Sequence, residues 1–435
     1  MSLDIARIRA EFPALAITDS GRKRIYFDSP GGTQTPKSVI DRTVDCLVRG
    51  NANLGGPFVT SIAAGKLVEE AHAAMADMLG AASPAEIVFG QNMTTLTLHI
   101  SRSIALTLEP GDEIIVTRMD HDANIAPWLL VARDRGCVVR WLDFDRARFE
   151  FDPAALEALL GDRTRVVALN YASNATGTIN DVRGLTALVK AKAPRALVYV
   201  DAVQLAPHRL VDVRAIGCDF LVCSPYKFFG PHQGVLWGKS ELLNSLSPYK
   251  VRPADDTLPS RFETGTLSHE GMAGTLGAVE YLAWIGSSLA APVPPRQGES
   301  ERRRALRAAW QTLEAYEREL TGRLVEGLQR LPGIAIQGIT DPAAFDRRVP
   351  TVSFIHDRLT PPEMSAEFGR EGIFVWDGHN YALEVISHLG LLDSGGVLRV
   401  GLAHYNTAEE VDALLEVLEG MIRRNSPTGE ERLEA

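Results

Sequence analysis

LVCSPYKFFGPHQG, Leu221 to Gly234, sets a lysine between a core strand and two phenylalanines. Asp219-Phe220-Leu221-Val222-Cys223 reads as the end of a buried strand. Ser224-Pro225-Tyr226 leave it, and Lys227 is followed at once by Phe228, Phe229 and a glycine turn. Lysine is among the residues least often buried without a partner. Either its side chain runs outward along its own methylenes, or a group in a pocket takes up its charge.

Around this stretch, from about residue 85 to 240, short β-rich runs alternate with amphipathic ones. The strand candidates are Glu86–Phe89, Glu113–Thr117, Val138–Leu142, Arg165–Asn170, Leu197–Asp201, Phe220–Ser224 and Gly234–Gly238. Helical stretches lie between several of them: Thr95–Leu106, Ile125–Arg135, Pro153–Leu160 and Gly184–Ala193. This alternation predicts an α/β fold with a mostly parallel seven-stranded sheet flanked by helices. In such sheets ligands bind beyond the carboxyl ends of the strands, so the residues just after each strand matter most.

The small residues and prolines of GSSLAAPVPPRQGES, Gly286–Ser300, suit a connecting loop. Beyond it Leu306, Trp310, Leu313, Tyr316, Leu320, Leu324 and Leu328 recur at helical spacing, and Pro332-Gly333 end that helix. Strands at Thr351–Ile355, Ile373–Trp376 and Val397–Leu402, a helix at Pro361–Arg370 and a last helix capped by Asn406 or Thr407 form a smaller α+β unit. The expected division is a large domain over 20–285, a linker over 286–300, and a small domain over 301–425 that includes 1–19. Residues 426–435 are expected to be a disordered tail.

A chain of 435 residues exceeds the size at which one core keeps growing, which agrees with two domains. The 45% hydrophobic and 23% charged composition is that of an ordinary globular protein. A net charge of -10 and the lack of a long basic stripe argue against nucleic acid. MSLDIARIRAEF is too charged for a secretory leader, and no run approaches a membrane span. Cys46, Cys137, Cys218 and Cys223 form no CxxC pair, so free thiols, no metal site and a cytoplasmic setting are expected.

Polar residues cluster where the strands end. Asp201 closes ALVYVDAVQ, with Gln204 three residues on. Asn174 lies in VVALNYASNATG just after its apolar run, His121 ends DEIIVTRMDH, and Thr94-Thr95 follow EIVFGQNM. Each has an ordinary explanation: a helix cap for Asp201 or the threonines, a turn for Asn174, packing for His121. Together their chemistry matches one task. A lysine that forms a Schiff base needs a carbonyl partner, and the common one in α/β enzymes is pyridoxal phosphate. Asp201 suits its ring nitrogen, Asn174 and Gln204 its phenolic oxygen, and His121 its ring face. Ser224 and the helix start at Thr94-Thr95 suit its phosphate.

Seven motifs in order, YFDSPGGTQTP, DHDANIAPW, SNATGTI, VDAVQ, CSPYKFFGP, RFETGT and LRVGLAHYNT, span nearly the whole chain. The chain resembles the fold-type I, class V aminotransferase-like enzymes, and among them the cysteine desulfurase and selenocysteine lyase branch. The resemblance implies Lys227 as the Schiff-base lysine and Asp201 as the pyridinium partner. It implies Asn174 and Gln204 at the phenolic oxygen, His121 stacked on the ring, and Thr95 and Ser224 on the phosphate. It further implies a homodimer in which Thr266 reaches the partner's phosphate, and Arg399 as the clamp on the substrate α-carboxylate. A surface role for Arg399 fits poorly between apolar Leu398 and Val400.

Two departures stand out. Tyr226 precedes the lysine where the family usually has histidine, and its hydroxyl can still donate to phosphate. The stretch FVWDGHNYALEV puts Tyr381 where desulfurases carry a nucleophilic cysteine, and Trp376 where a substrate-contacting arginine often lies. No cysteine follows Cys223, which itself reads as structural. A persulfide requires a thiolate, so ordinary desulfurase chemistry is not expected. The expected reaction is a β-elimination (C–S lyase) on an amino acid, with Lys227 as base and Tyr381 and His379 as candidate acids on the loop. The nearest relatives act on sulfur-bearing amino acids, which favours it by analogy. Transamination and epimerisation are alternatives within the family. A nucleotide-binding oxidoreductase would need a GxGxxG after the first strand, which DSPGGTQTP is not. A scaffold without catalysis would not need lysine, aspartate and arginine together.

Overall fold

The computed structural model describes residues 3–425; the tail expected at 426–435 lies outside them. Seven strands form the main sheet: β1 (Ile87–Gly90), β2 (Glu113–Thr117), β3 (Val138–Leu142), β4 (Thr164–Asn170), β5 (Leu197–Asp201), β6 (Phe220–Cys223) and β7 (Gly234–Gly238). Their spatial order is β1-β7-β6-β5-β4-β2-β3. All neighbours are parallel except β7, which runs antiparallel to both β1 and β6. The expected mostly parallel, seven-stranded α/β architecture is therefore what the chain adopts.

The near-continuous apolar strands follow from burial on both faces. Side chains alternate between two cores. Val198, Val200, Leu221 and Cys223 face one, with Met75, Leu79, Met272 and Leu276 from neighbouring helices. Tyr199, Phe220 and Val222 face the other, with Leu96, Ile100 and Trp128. Three helices that carry much of the first core, α1 (Lys37–Arg49), α2 (Val59–Leu79) and α4 (His269–Ser288), were not among the expected elements. The α4 sequence is apolar nearly all round, so it shows no amphipathic stripe to read. Helix α3 (Met93–Ala105) starts two residues earlier than expected, because Asn92 rather than a threonine caps it. The expected loop at 286–300 begins later, since α4 runs on through Ser288.

A second sheet contains β8 (Ile334–Ile336), β9 (Thr351–His356), β10 (Trp376–Gly378) and β11 (Val397–Gly401), in the order β8-β9-β11-β10 and antiparallel throughout. Helices α5 (Glu301–Gln329) and α7 (Ala408–Arg424) flank it, with α6 (Leu383–Leu389) just after β10. Thr407 caps α7 in a reciprocal box with Glu410. The single strand expected at Ile373–Trp376 is two. Ile373–Phe374 pairs in parallel with Ile25–Tyr26, and the chain then changes partner at Val375 so that Trp376–Gly378 joins β11.

The two phenylalanines after Lys227 explain how its loop is held. Both are fully buried, each contributing about 1.5–3 kcal/mol of burial. Phe229 adopts φ 73, a left-handed conformation that costs a bulky residue roughly 1–3 kcal/mol. Its ring is gripped by His404 at 4.5 Å and by Phe12 and Tyr281 at 5.9 Å. That aromatic cluster fixes the turn and with it the direction of Lys227.

Candidate active site

Lys227 closes a short helical turn directly after β6, and it points inward. Its side chain is buried and Nζ donates to the carbonyl of Pro30. Burial, reinforced by the charge of Arg399, lowers its pKa from 10.5 to about 7, against the pull of Asp201 and Asp28. Snorkelling is thus excluded.

Asp201 is the last residue of β5, adjacent in the sheet to the strand that delivers the lysine. It is buried, and one carboxylate oxygen accepts from the Val203 N–H at 2.8 Å. Burial raises its pKa to about 6, with that hydrogen bond and Lys227 opposing. Arg399 lies in the middle of β11 and is buried too. One guanidinium nitrogen donates to the Asn174 carbonyl at 3.1 Å, while its Nε has no partner. Desolvation brings its pKa down to about 10. His121 accepts from the Ala123 N–H at 3.0 Å through Nδ1. Burial, together with the charges of Lys227 and Arg399, holds its pKa at about 4, so the imidazole is neutral.

Lys227, Asp201, Arg399, His121 and Asn174 therefore meet at the carboxyl edge of the main sheet, where the second sheet presents Arg399. Ser224 joins them through its carbonyl, which accepts from the Lys227 N–H at 3.0 Å. Tyr226 stacks on His232 at 4.8 Å, and the Lys227 ammonium nitrogen lies 4.7 Å from its ring centre. Gln204 is buried close by but donates to Thr351 of β9 at 3.0 Å. Thr94 and Thr95 are exposed in the first turn of α3. The Thr94 hydroxyl faces the Met93 sulfur, and Thr95 donates to the cap residue Asn92 at 2.9 Å. Thr266 stands apart from the lysine, exposed in a groove of about 1060 Å³ that His72, Glu263 and Pro259 also line.

Tyr381 and His379 are both exposed. The Tyr381 ring stacks on His121, centroids 5.5 Å apart and planes inclined by 14°. His379 accepts from the Tyr381 N–H at 3.1 Å. This segment is fastened to the main sheet's loops. Asn174 Nδ2 donates to the Asn380 carbonyl and the Asp122 N–H to the Tyr381 carbonyl, both at 2.8 Å. Arg118 pairs with Glu384, and Ala382 and Val385 are buried against Met119, Phe144 and Ala175.

One participant was missed in the sequence. Asp28 lies in the quoted YFDSPGGTQTP, yet no role was assigned to it. It is largely buried, with one carboxylate oxygen unpartnered. Desolvation raises its pKa to about 6, against the charges of Arg399 and Lys227. The strand that places it, Ile25–Tyr26, is two residues long and too short to show a pattern.

The unpartnered atoms test whether a cofactor fits. Buried polar groups are nearly always hydrogen-bonded. Here the Ser224 hydroxyl, Asn174 Oδ1, Asp28 Oδ1 and Arg399 Nε are all buried without partners. A hydroxyl, an amide, a carboxylate, a guanidinium and the desolvated Lys227 amine held together form a set of donors and acceptors suited to a phosphorylated pyridine aldehyde and an amino acid. The chemistry of pyridoxal phosphate fits these residues.

Comparison with known proteins agrees. The family model "Aminotransferase class-V" matches residues 25–291 and 305–414. The aminotransferase-like protein FGM3 of Gibberella zeae is 33% identical over 96% of this chain and 98% of its own length. A cysteine desulfurase of Pectobacterium atrosepticum is 32% identical over 97% of this chain and 99% of its own. The apo cysteine desulfurase structure from Thermococcus onnurineus superposes with TM-score 0.85 at 26% identity, over 98% of this chain and 99% of that one. With the lysine, carboxylate and arginine gathered at one sheet edge, these matches establish that the chain belongs to the class-V aminotransferase family of pyridoxal-phosphate-dependent enzymes, in its cysteine desulfurase-like branch.

Proposed function

We propose that this enzyme is a C–S lyase that eliminates a thiol from the β-carbon of an S-substituted cysteine. The observation that carries the reading is the residue facing the site from the 378–382 segment: Tyr381, stacked on His121, and not a thiol. Cys218 and Cys223 are free but buried, and burial pushes both thiols up, to about 12 for Cys218. Neither supports a sulfur-accepting thiolate.

Lys227, Asp201 and Ser224 would hold the cofactor, with Asn174, Gln204, Tyr226 and the Thr94-Thr95 turn around it. Pyridoxal phosphate, when bound, supplies an electron sink for the pair left at the substrate α-carbon. Arg399 orients the substrate by its carboxylate. The Nζ amine of Lys227, neutral above about pH 7, takes the α-proton. Neutral His121 would cover the bound group and keep water from it. Tyr381 or His379 would give the leaving sulfur its proton. The Cβ–S bond breaks with its electron pair going to sulfur. Hydrolysis of the remaining enamine uses one water and yields pyruvate and ammonium. Incubation with S-methylcysteine should release methanethiol, pyruvate and ammonia in equal amounts. An L-alanine-dependent keto-acid exchange without thiol, or racemisation alone, would replace this reading by transamination or epimerisation.

The active form is proposed to be a homodimer. Val44, Leu47 and Val48 of α1, with Phe58, Val59 and Ile62 at the start of α2, are exposed apolar residues, and such patches mark association surfaces. The groove that holds Thr266 includes Asn53 and Leu54, between these helices. Light scattering should give twice the chain mass, and a Val48→Glu/Val59→Glu double variant should fall to the monomer mass. A wild-type monomer at micromolar concentration would end this proposal. No described helix is long and apolar enough to cross a membrane. The free cysteines support a reducing compartment, proposed to be the cytoplasm.

A further inference from the structure

Trp376 is an aromatic side chain where a polar one would be ordinary. It lies on the edge strand β10 and is 53% exposed. Its register partner in β11 is Arg399. Residues directly opposite in an antiparallel pair point to the same face, with Cβ atoms about 5 Å apart. The ring therefore stands beside the guanidinium that holds the substrate carboxylate.

A second contact fixes the ring's other edge. A Cβ built on Gly31 would come within 2.7 Å of the indole Nε1. The neighbouring carbonyl, that of Pro30, accepts from Lys227, and a Cβ on Gly32 would meet the Tyr226 ring at 3.3 Å. The Pro30–Gly32 turn is thus covered by three side chains, and Gly31 is where the backbone yields to tryptophan. The indole stands against the turn whose carbonyl accepts from the Lys227 amine and opposite Arg399 in the sheet, with much of its surface open.

We infer that Trp376 forms the wall of the side-chain subsite, and that the preferred substrates are S-substituted cysteines with a bulky apolar, foremost aromatic, S-substituent. This rests on the lyase reading above. Arg399 and Lys227 are the cations at the reacting end, and the wall beside them is the exposed indole, an apolar surface. An apolar group would bury the exposed indole face, and Tyr381, 69% exposed on its His121 stack, offers a second aromatic surface on the rim.

The test uses the holoenzyme with S-phenylcysteine, S-methylcysteine and S-carboxymethylcysteine as probes. It follows the change in cofactor absorbance on binding, the quenching of tryptophan fluorescence, and thiol release. Wild type should favour the phenyl over the methyl compound by about tenfold or more in half-saturating concentration. Trp376→Ala should remove most of that preference, through KM more than kcat. Trp376→Phe should keep part of it, and the phenyl-dependent quenching should disappear in both variants. Trp376→Arg should shift preference toward the carboxymethyl compound. An unchanged phenyl-to-methyl ratio in Trp376→Ala, with normal melting and normal absorbance changes, would overturn the inference and leave the lyase reading standing. A wild-type enzyme whose absorbance responds to these compounds but which releases no thiol would overturn both.

Discussion

Lys227→Ala is expected to fold, to lose the borohydride-fixed adduct with pyridoxal phosphate, and to lose roughly 10³-fold or more in turnover. The expectation of intact folding comes from the same burial that makes the residue reactive. A lysine whose pKa drops from 10.5 to about 7 on folding binds its proton more weakly in the native state than in the unfolded one. Below pH 7 the apoprotein bears this cost in full, and stability rises as pH increases from 7 toward 10.5. The alanine variant should lack that slope, and its melting temperature should match or exceed that of wild type near pH 7. Uptake of pyridoxal phosphate by the wild-type apoprotein should quicken as pH rises through about 7, where Nζ becomes a free amine. Turnover within tenfold of wild type, or a stability slope unchanged by the substitution, would remove Lys227 from the mechanism.

Arg399→Ala should raise KM for an amino acid by roughly a hundredfold, the scale of losing charge-assisted hydrogen bonds. Its Nε is unpartnered and another nitrogen is committed to the Asn174 carbonyl, so part of the guanidinium is left for a carboxylate. Arg399→Lys keeps the charge but not the planar fork, and should recover only part of the loss. The decarboxylated amine of the same substrate should bind wild type and Arg399→Ala about equally. A KM within twofold of wild type in the alanine variant would show that the carboxylate is held elsewhere.

Much of the main sheet was legible because parallel strands buried on both faces write themselves as apolar runs, and their tips carry Asn170, Asp201 and Ser224. Lys227 stood out because a cation there contradicts its surroundings. Asp28 was hidden, since the two-residue strand before it gains its place only by pairing with Ile373–Phe374, more than 300 residues away. The same pairing split the strand expected at Ile373–Trp376. Helix α4 was invisible for the opposite reason: full burial leaves no polar stripe to set the period. Thr94 and Thr95 were singled out by their position at a helix start, but Asn92 took the capping role because its amide oxygen reaches the Thr95 N–H at 2.8 Å. Gln204 is expected at the ring oxygen as a neutral donor and from the resemblance, with no sign in the sequence that its amide also donates to Thr351 of the second sheet.

The fastening of Asn380 and Tyr381 onto Asn174 and Asp122 bears on the fate of the product. Handing sulfur to an acceptor protein calls for an arm that carries a bonded atom outward. Here that arm is stitched down at both backbone carbonyls and anchored by α6. On the proposed lyase reading, what is cleaved would leave by diffusion, as a small free molecule.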